Sequence, residues 1–174
     1  LDEKYAYYCF CSKDELEAER QGMLSKGLPP RYGGKCRGLN AVEVQEKLKN
    51  GRERVIRFKV PETKVSFTDI IRGKVEFDMA LAGDFVIAKD LESPLYNFAA
   101  VIDDFEMRIT HVIRGEDHIS NTPKQILLQE ALDFPKVYYA HVPLLLGEDR
   151  TKLSKRHGDT SVKKFREQGY LSEA

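Results

Sequence analysis

The 174-residue sequence is short of several things, and each shortage excludes a class of protein. No apolar run approaches the roughly 18 residues of a membrane-spanning helix, so no membrane partner is predicted. The start, Leu1-Asp2-Glu3-Lys4-Tyr5, resembles neither a signal peptide nor a transit peptide. Leu1 in place of a Met leads us to expect a piece of a longer chain. Net charge is absent too: 28 Lys and Arg balance 28 Asp and Glu, so overall charge points to no partner. Three cysteines, an odd number, cannot close a disulfide framework, and a reduced, cytoplasmic protein is expected. Repeats, a hydrolytic triad, a dinucleotide glycine fingerprint and a Walker loop are all missing.

What is present reads as a soluble globular chain, 41% hydrophobic and 32% charged. Its length allows one domain, or one with a modest insertion, and roughly 70% burial of the unfolded surface. Two halves differ in texture. Residues 1–51 are short helical pieces between glycines and prolines. Ser12-Lys13-Asp14-Glu15 spells a capping box, and the polar helix behind it stops at Gly27 and Pro29-Pro30. A second helix is capped by Asn40 and ended by Gly51. This half offers little apolar surface.

From Arg54 onward strands dominate. Val55 to Val60 alternates like a half-buried strand, Phe67 to Phe77 holds one or two more, and Asp84 to Lys89 another. Tyr96 to Ile102 reads as a helix and Ile109 to Ile113 as a buried strand ending at Arg114-Gly115. Thr122-Pro123-Lys124-Gln125 reads as an N-cap, a first-turn proline and a capping-box glutamine. Tyr138 to Leu146 is a second buried strand, and a last helix stops near Gly169. Alternating strands and helices predict a parallel sheet, with ligands at the strand C-termini.

Three groups of residues could carry chemistry. Cys9, Cys11 and Cys36 all fall in the core-poor half, where zinc would supply missing stability. Three small buried hydrophobes are the alternative. Residues 1–110 contain no His, and Gly38 stands where a Cys-x-His pair would close the site, so Tyr32 is the nearby candidate for a fourth ligand. Seven basic residues against one acid lie between Arg150 and Arg166, among them Lys152-Leu153-Ser154-Lys155-Arg156. That run is either a solvated charge cluster or a polyphosphate site, in which two ammoniums follow charge along the phosphates and Ser154 adds a hydrogen bond. Arg114, with Glu116-Asp117-His118 behind it, offers a planar fork for a carboxylate, or else an ion pair to Asp103 or Asp104. The pair Asp103-Asp104 could hold magnesium, although adjacent carboxylates diverge on a regular element. His111 and His141 lie within strands and read as packing or supporting residues.

In their order these motifs resemble bacterial-type glutamyl-tRNA synthetase, a class I aminoacyl-tRNA synthetase. Tyr96 to Asp104, His111 to His118, Asn121 to Gln125 and the KMSKS-type run Lys152 to Arg156 carry the resemblance, which extends over essentially the whole chain. It implies an α/β fold: residues 84–174 as the second half of a Rossmann-like catalytic domain, and 1–83 as an inserted α+β domain that binds the tRNA acceptor end. It implies Tyr96 and Arg114 in the glutamate pocket. Glu116, His118, Ser154 and Lys155 would lie toward ATP, with Lys152 and Lys155 acting on its phosphates. Cys9, Cys11 and Cys36 match zinc ligands, and Tyr32 matches the tyrosine ligand of shortened relatives that modify a tRNA base. ATP with Mg2+, glutamate, tRNA and Zn2+ are the implied ligands, and a monomer is expected. The family's His-x-Gly-His signature is not found in the sequence, so this stretch alone is expected to be inactive. A tRNA-base-modifying paralogue and a non-catalytic RNA-binding module are the alternative readings.

Overall fold

The computed structural model describes residues 5–144, 146 and 162–171, with Lys164 by its backbone only. Two sheets organise the chain. The first takes β1 (Ala6–Cys9), β2 (Val55–Phe58) and β5 (Val86–Ala88), with β2 in the centre and antiparallel to both neighbours. The second takes β3 (Lys64–Asp69), β4 (Gly73–Asp78), β6 (His111–Gly115) and β7 (Tyr138–Val142) in the order β4-β3-β7-β6. Within it β3, β7 and β6 run parallel, and β4 returns antiparallel from β3. The fold is therefore α/β with a parallel sheet, as the alternation of element types predicts.

Two helices between β1 and β2 form where local signals place them. α1 (Lys13–Leu24) starts at a complete capping box of Ser12 and Glu15. α2 (Ala41–Lys49) starts at a second one, of Asn40 and Glu43. Each box satisfies two otherwise orphaned backbone donors at a helix start. Gly27 and Gly51 adopt positive φ just beyond the two helices, a conformation that costs glycine no Cβ clash. Neither helix contains a buried residue, so little apolar burial holds either in place.

The main core lies between the sheets and two later helices, α3 (Tyr96–Glu106) and α4 (Thr122–Ala131). Ile56, Phe58, Val65, Met79, Ile87, Val101, Leu127 and Leu128 form it, each contributing about 1.5–3 kcal/mol by burial. A satellite cluster of Cys9, Phe10 and Cys36 sits beside Tyr32, Leu39, Val44 and Leu48. A final helix, α5 (Val162–Glu167), ends near Gly169 at φ 90°.

Several expectations are revised. The stretch from Phe67 to Phe77 belongs to two strands, and the first begins at Lys64. β6 is an edge strand rather than a buried one: its only strand neighbour among the described residues is β7, and Ile113 is 69% exposed. β1 and β2 pair with β5 while β3 and β4 join β6 and β7, so both sheets contain strands from residues 1–83 and from 84–174. Thr122 does not cap α4. Asn121 holds that position without a side-chain cap bond, and Thr122 is the first helical residue.

Candidate functional site

The parallel sheet delivers Arg114 to the C-terminal end of β6, directly in register with His141 on β7. A crossover through α4 joins these two strands, and the start of α4 faces the guanidinium. Arg114 Nη2 donates to Thr122 Oγ1 and to Gln125 Oε1, both at 2.8 Å. Its Nε lies 3.3 Å from His141 Nε2. These partners are a hydroxyl, an amide oxygen and a ring nitrogen, all neutral, so they orient the guanidinium without cancelling its charge. The ion pair with Asp103 or Asp104 is not formed. Burial raises the Asp104 carboxyl above its ordinary pKa, with Arg114's charge opposing and Asp103's adding to the rise.

Asn97 and Tyr96 on the first turn of α3 close the other side. Gln125 Nε2 donates to Asn97 Oδ1 at 3.2 Å, tying α3 to the Arg114 cluster. The Tyr96 hydroxyl lies 3.3 Å from His118 Nδ1, and Asn121 Nδ2 approaches the same nitrogen at 3.3 Å. Tyr96 remains 54% exposed. Tyr96 and His118 thus meet in a ring contact, while Gln125 and Asn97 link the start of α3 to Arg114. The Glu116 carboxylate is already engaged, by an ion pair with Arg72 and by the backbone N–H of Leu144 at 3.1 Å. At Gly115 any side chain would collide with Asp117 Oδ1, 2.5 Å from the ideal Cβ position, so only glycine lets that carboxylate fold back over the strand end. Lys152, Ser154 and Lys155 lie outside the described residues.

Asp69 and His141 stand behind Arg114, fully buried. Asp69 Oδ2 meets His141 Nδ1 at 2.6 Å, and Asp69 Oδ1 accepts the backbone N–H groups of Ile71 and Arg72 at 3.0 and 2.9 Å. Burial works against the Asp69 carboxylate, but bonds from the backbone of Arg72 and from His141 outweigh it and hold the pKa at about 2. Sequence reading passed over Asp69, Thr122, Gln125 and Asn97. Thr122 and Gln125 look like capping residues locally, and the available signal was their distance of eight and eleven residues from a strand-end arginine.

A second cluster lies on the first sheet. The sulfurs of Cys9, Cys11 and Cys36 are all within 4.8 Å of one another. The Tyr32 hydroxyl is 3.4 Å from Cys9 Sγ and 3.6 Å from Cys11 Sγ, and it accepts the Cys36 N–H at 2.9 Å. Arg57 stacks on the Tyr32 ring, its Cζ 3.9 Å from the centroid. Burial disfavours the Cys9 thiolate, yet hydrogen bonds from Tyr32, the Cys11 N–H and Arg57 lower its pKa overall. Burial pushes the Cys11 thiol up to about 12 and raises the Tyr32 phenol as well. Three thiols and a phenol converging from one strand end and one loop match a four-coordinate donor set for a thiophilic cation. Asp84 anchors that loop: its carboxylate takes bonds from Tyr7 (2.6 Å), Arg37 (3.0 Å) and the Val60 N–H (2.8 Å).

The carboxyl ends of parallel strands, beside a crossover helix, are where doubly wound α/β enzymes bind substrates. The family model for class I tRNA synthetases (E and Q), catalytic domain, matches residues 1–174, and the chain belongs to that family. Among individual relatives, the glutamate–tRNA ligase of Carboxydothermus hydrogenoformans is 54% identical over 175 residues, covering 100% of this chain and 36% of its own. That of Aquifex aeolicus is 55% identical, with 100% and 37% covered. A crystal structure of a glutamate tRNA ligase from Elizabethkingia meningosepticum in complex with its amino acid superimposes with a TM-score of 0.80 at 35% identity, over 96% of this chain and 38% of that one. The chain therefore spans about a third of the length of the curated relatives it matches. No helix among the described residues is long and apolar enough to cross a membrane.

Proposed function

We propose that this chain is the part of a glutamate–tRNA ligase that binds glutamate, receives ATP and presents the tRNA acceptor end. The observation that carries this reading is Arg114, a guanidinium held at a parallel-strand terminus by neutral partners. Such a group is set to bind a carboxylate through Nη1, because the guanidinium is oriented and its charge is not cancelled by those partners. Tyr96 and Arg114 contact the amino acid in this reading, and His118, bonded to the Tyr96 hydroxyl, lies toward the nucleotide. Glu116 braces the turn between them through Arg72 and Leu144.

The reaction joins a substrate carboxylate to the α-phosphate of ATP with loss of pyrophosphate, and a tRNA hydroxyl then takes the aminoacyl group as AMP leaves. The protein's work is to position reactants and neutralise phosphate charge. Lys152 and Lys155 follow the phosphates, Ser154 assists, and Mg2+ accompanies the nucleotide. Residues 1–83 serve the acceptor end of the tRNA and 84–174 the catalytic half, joined where the β3–β4 hairpin enters the sheet of β6 and β7. Zn2+ held by Cys9, Cys11, Cys36 and Tyr32 fits the donor set and would supply cross-linking that α1 and α2 lack. The protein acts as a cytoplasmic monomer.

The test is glutamate-dependent exchange of pyrophosphate into ATP by the intact protein that carries this chain, with and without tRNA. Arg114→Lys keeps the charge and loses the bonds to His141, Thr122 and Gln125 that hold it in place. We expect a rise of at least about tenfold in the glutamate KM, with the ATP KM little changed. Exchange with no amino-acid requirement would overturn the reading.

A further inference from the structure

Asp69 and His141 are buried behind Arg114, with side-chain exposures of 0% each. They come from different strands, β3 and β7, and neither reaches the surface. Three features define the pair. Asp69 Oδ2 contacts His141 Nδ1 at 2.6 Å and the same residue's backbone N–H at 3.1 Å. Asp69 Oδ1 is committed to the backbone N–H groups of Ile71 and Arg72. On the far side of the ring, His141 Nε2 faces Arg114 Nε at 3.3 Å and Thr122 Oγ1 at 3.0 Å.

These contacts dictate the ring's protonation. A carboxylate against Nδ1 requires the proton there. The guanidinium N–H points at Nε2, and the Thr122 hydroxyl, whose oxygen accepts from Arg114 Nη2, lies 3.0 Å from the same atom. A guanidinium can only donate, so it requires a lone pair at Nε2. Arg114 then has Nε fixed by His141 and Nη2 fixed by Thr122 and Gln125, so recognition of a ligand passes to Nη1.

We propose that Asp69 and His141 are positioning residues for Arg114: Asp69 fixes the Nδ1–H form of His141, and the Nε2 lone pair of His141 aims the guanidinium so that the site selects a carboxylate over a carboxamide. The inference rests on Arg114 binding the side-chain carboxylate of glutamate, the group that glutamine replaces with a carboxamide. Its physical basis is that a charge discriminates between two isosteric groups only when it is held at a fixed place. A ring flipped to Nε2–H would set donor against donor and displace the fork. A site that loses its fixed polar partner loses discrimination as well as affinity.

The experiment uses the intact protein and three variants, Asp69→Asn, His141→Asn and His141→Gln. Asparagine at 69 presents an N–H to the ring and drives the proton to Nε2. Asparagine at 141 keeps a donor for Asp69 but has nothing at the Nε2 position, whereas glutamine at 141 restores an acceptor there. Pyrophosphate exchange with tRNA present is measured against glutamate, glutamine and ATP. We expect Asp69→Asn and His141→Asn to raise the glutamate KM about 10- to 100-fold, the scale of losing a hydrogen bond to a charged group. Their preference for glutamate over glutamine falls in parallel, while the ATP KM and kcat stay within about threefold; His141→Gln recovers most of the loss. Unchanged glutamate KM, or equal losses in every parameter with no rescue by glutamine, overturns the proposal.

Nitrogen-15 NMR of the histidines adds a readout that needs no variant to fold. His141 in the wild-type protein should carry its proton on Nδ1, and a proton on Nε2 overturns the proposal outright. Failure of the broader reading looks different: wild-type protein would then show no glutamate-dependent exchange, while the NMR result would still judge the Asp69–His141 assignment.

Discussion

Cys9 Sγ and Tyr32 Oη, 23 residues apart in sequence, meet at 3.4 Å, and the same hydroxyl accepts the Cys36 N–H. The phenol thus sits at the fourth corner of the cysteine cluster with its ring clamped under Arg57. Removing only that oxygen tests whether the corner is a ligand.

Tyr32→Phe should lower zinc affinity by about tenfold or more, since even groups outside the ligand set contribute about 10- to 100-fold. Chelator competition on the purified protein reads this directly, with thermal unfolding as a second measure. Zinc affinity equal to wild type would leave Tyr32 as a packing residue.

Asp84 joins three partners from separate segments, so Asp84→Asn should destabilise the region around the cysteine loop. Hydrogen bonds to a charged group are worth about 1.5–3 kcal/mol. Because Arg37 is partly exposed and can rehydrate, a net loss of about 2 kcal/mol is expected in denaturant unfolding. A loss below about 0.5 kcal/mol, typical of surface positions, would show that the three bonds are not cooperative.

Asp69 ties stability to pH. Its folded pKa lies at about 2, below the ordinary carboxyl value of 3.8. A depressed carboxyl contributes stability that is fully present above its unfolded pKa and disappears as pH falls through the folded one. Stability should therefore decline between about pH 4 and pH 2, and Asp69→Asn should flatten that part of the curve. Parallel acid-unfolding profiles for the two proteins would count against this assignment.

Lys155→Ala should act on rate rather than on nucleotide binding, because pyrophosphate gains charge as its bond breaks. Losing one preorganised donor of this kind costs about 100- to 1000-fold in turnover. Single-turnover adenylate formation measures it against an ATP affinity that should barely move. Lost ATP binding with normal turnover at saturation would make Lys155 a ground-state anchor only.

Signals confined to one turn of chain were legible. Ser12 and Asn40 cap their helices as spelled, since the partners of a capping box lie three residues away. Thr122 and Gln125 carry similar spelling, but Arg114 lies within reach in space, and a charged partner wins over a backbone cap. The apolar run of β6 reads as buried, and composition alone cannot say that among the described residues it pairs on one side only. The gathering of Tyr96, Arg114 and His118 follows from strand order and resemblance. Asp69 was illegible because its meaning depends on a histidine 72 residues later.

That separation of 72 residues also governs how the polypeptide acquires its shape during synthesis. The first sheet and the helices whose Val101, Leu127 and Leu128 pack on it are complete by Ala131, whereas β3 waits for β7, which ends at Val142. At about 5–20 residues per second, the ribosome leaves the hairpin's parallel edge uncovered for several seconds. Arrested nascent chains released at residue 133, with α3 and α4 complete but β7 absent, should therefore protect Tyr7 and Ile56 from proteolysis while leaving Val65 and Phe67 cleavable. Chains extended well past Val142 should protect all four, and early protection of Val65 would show that the hairpin finds other cover while it waits.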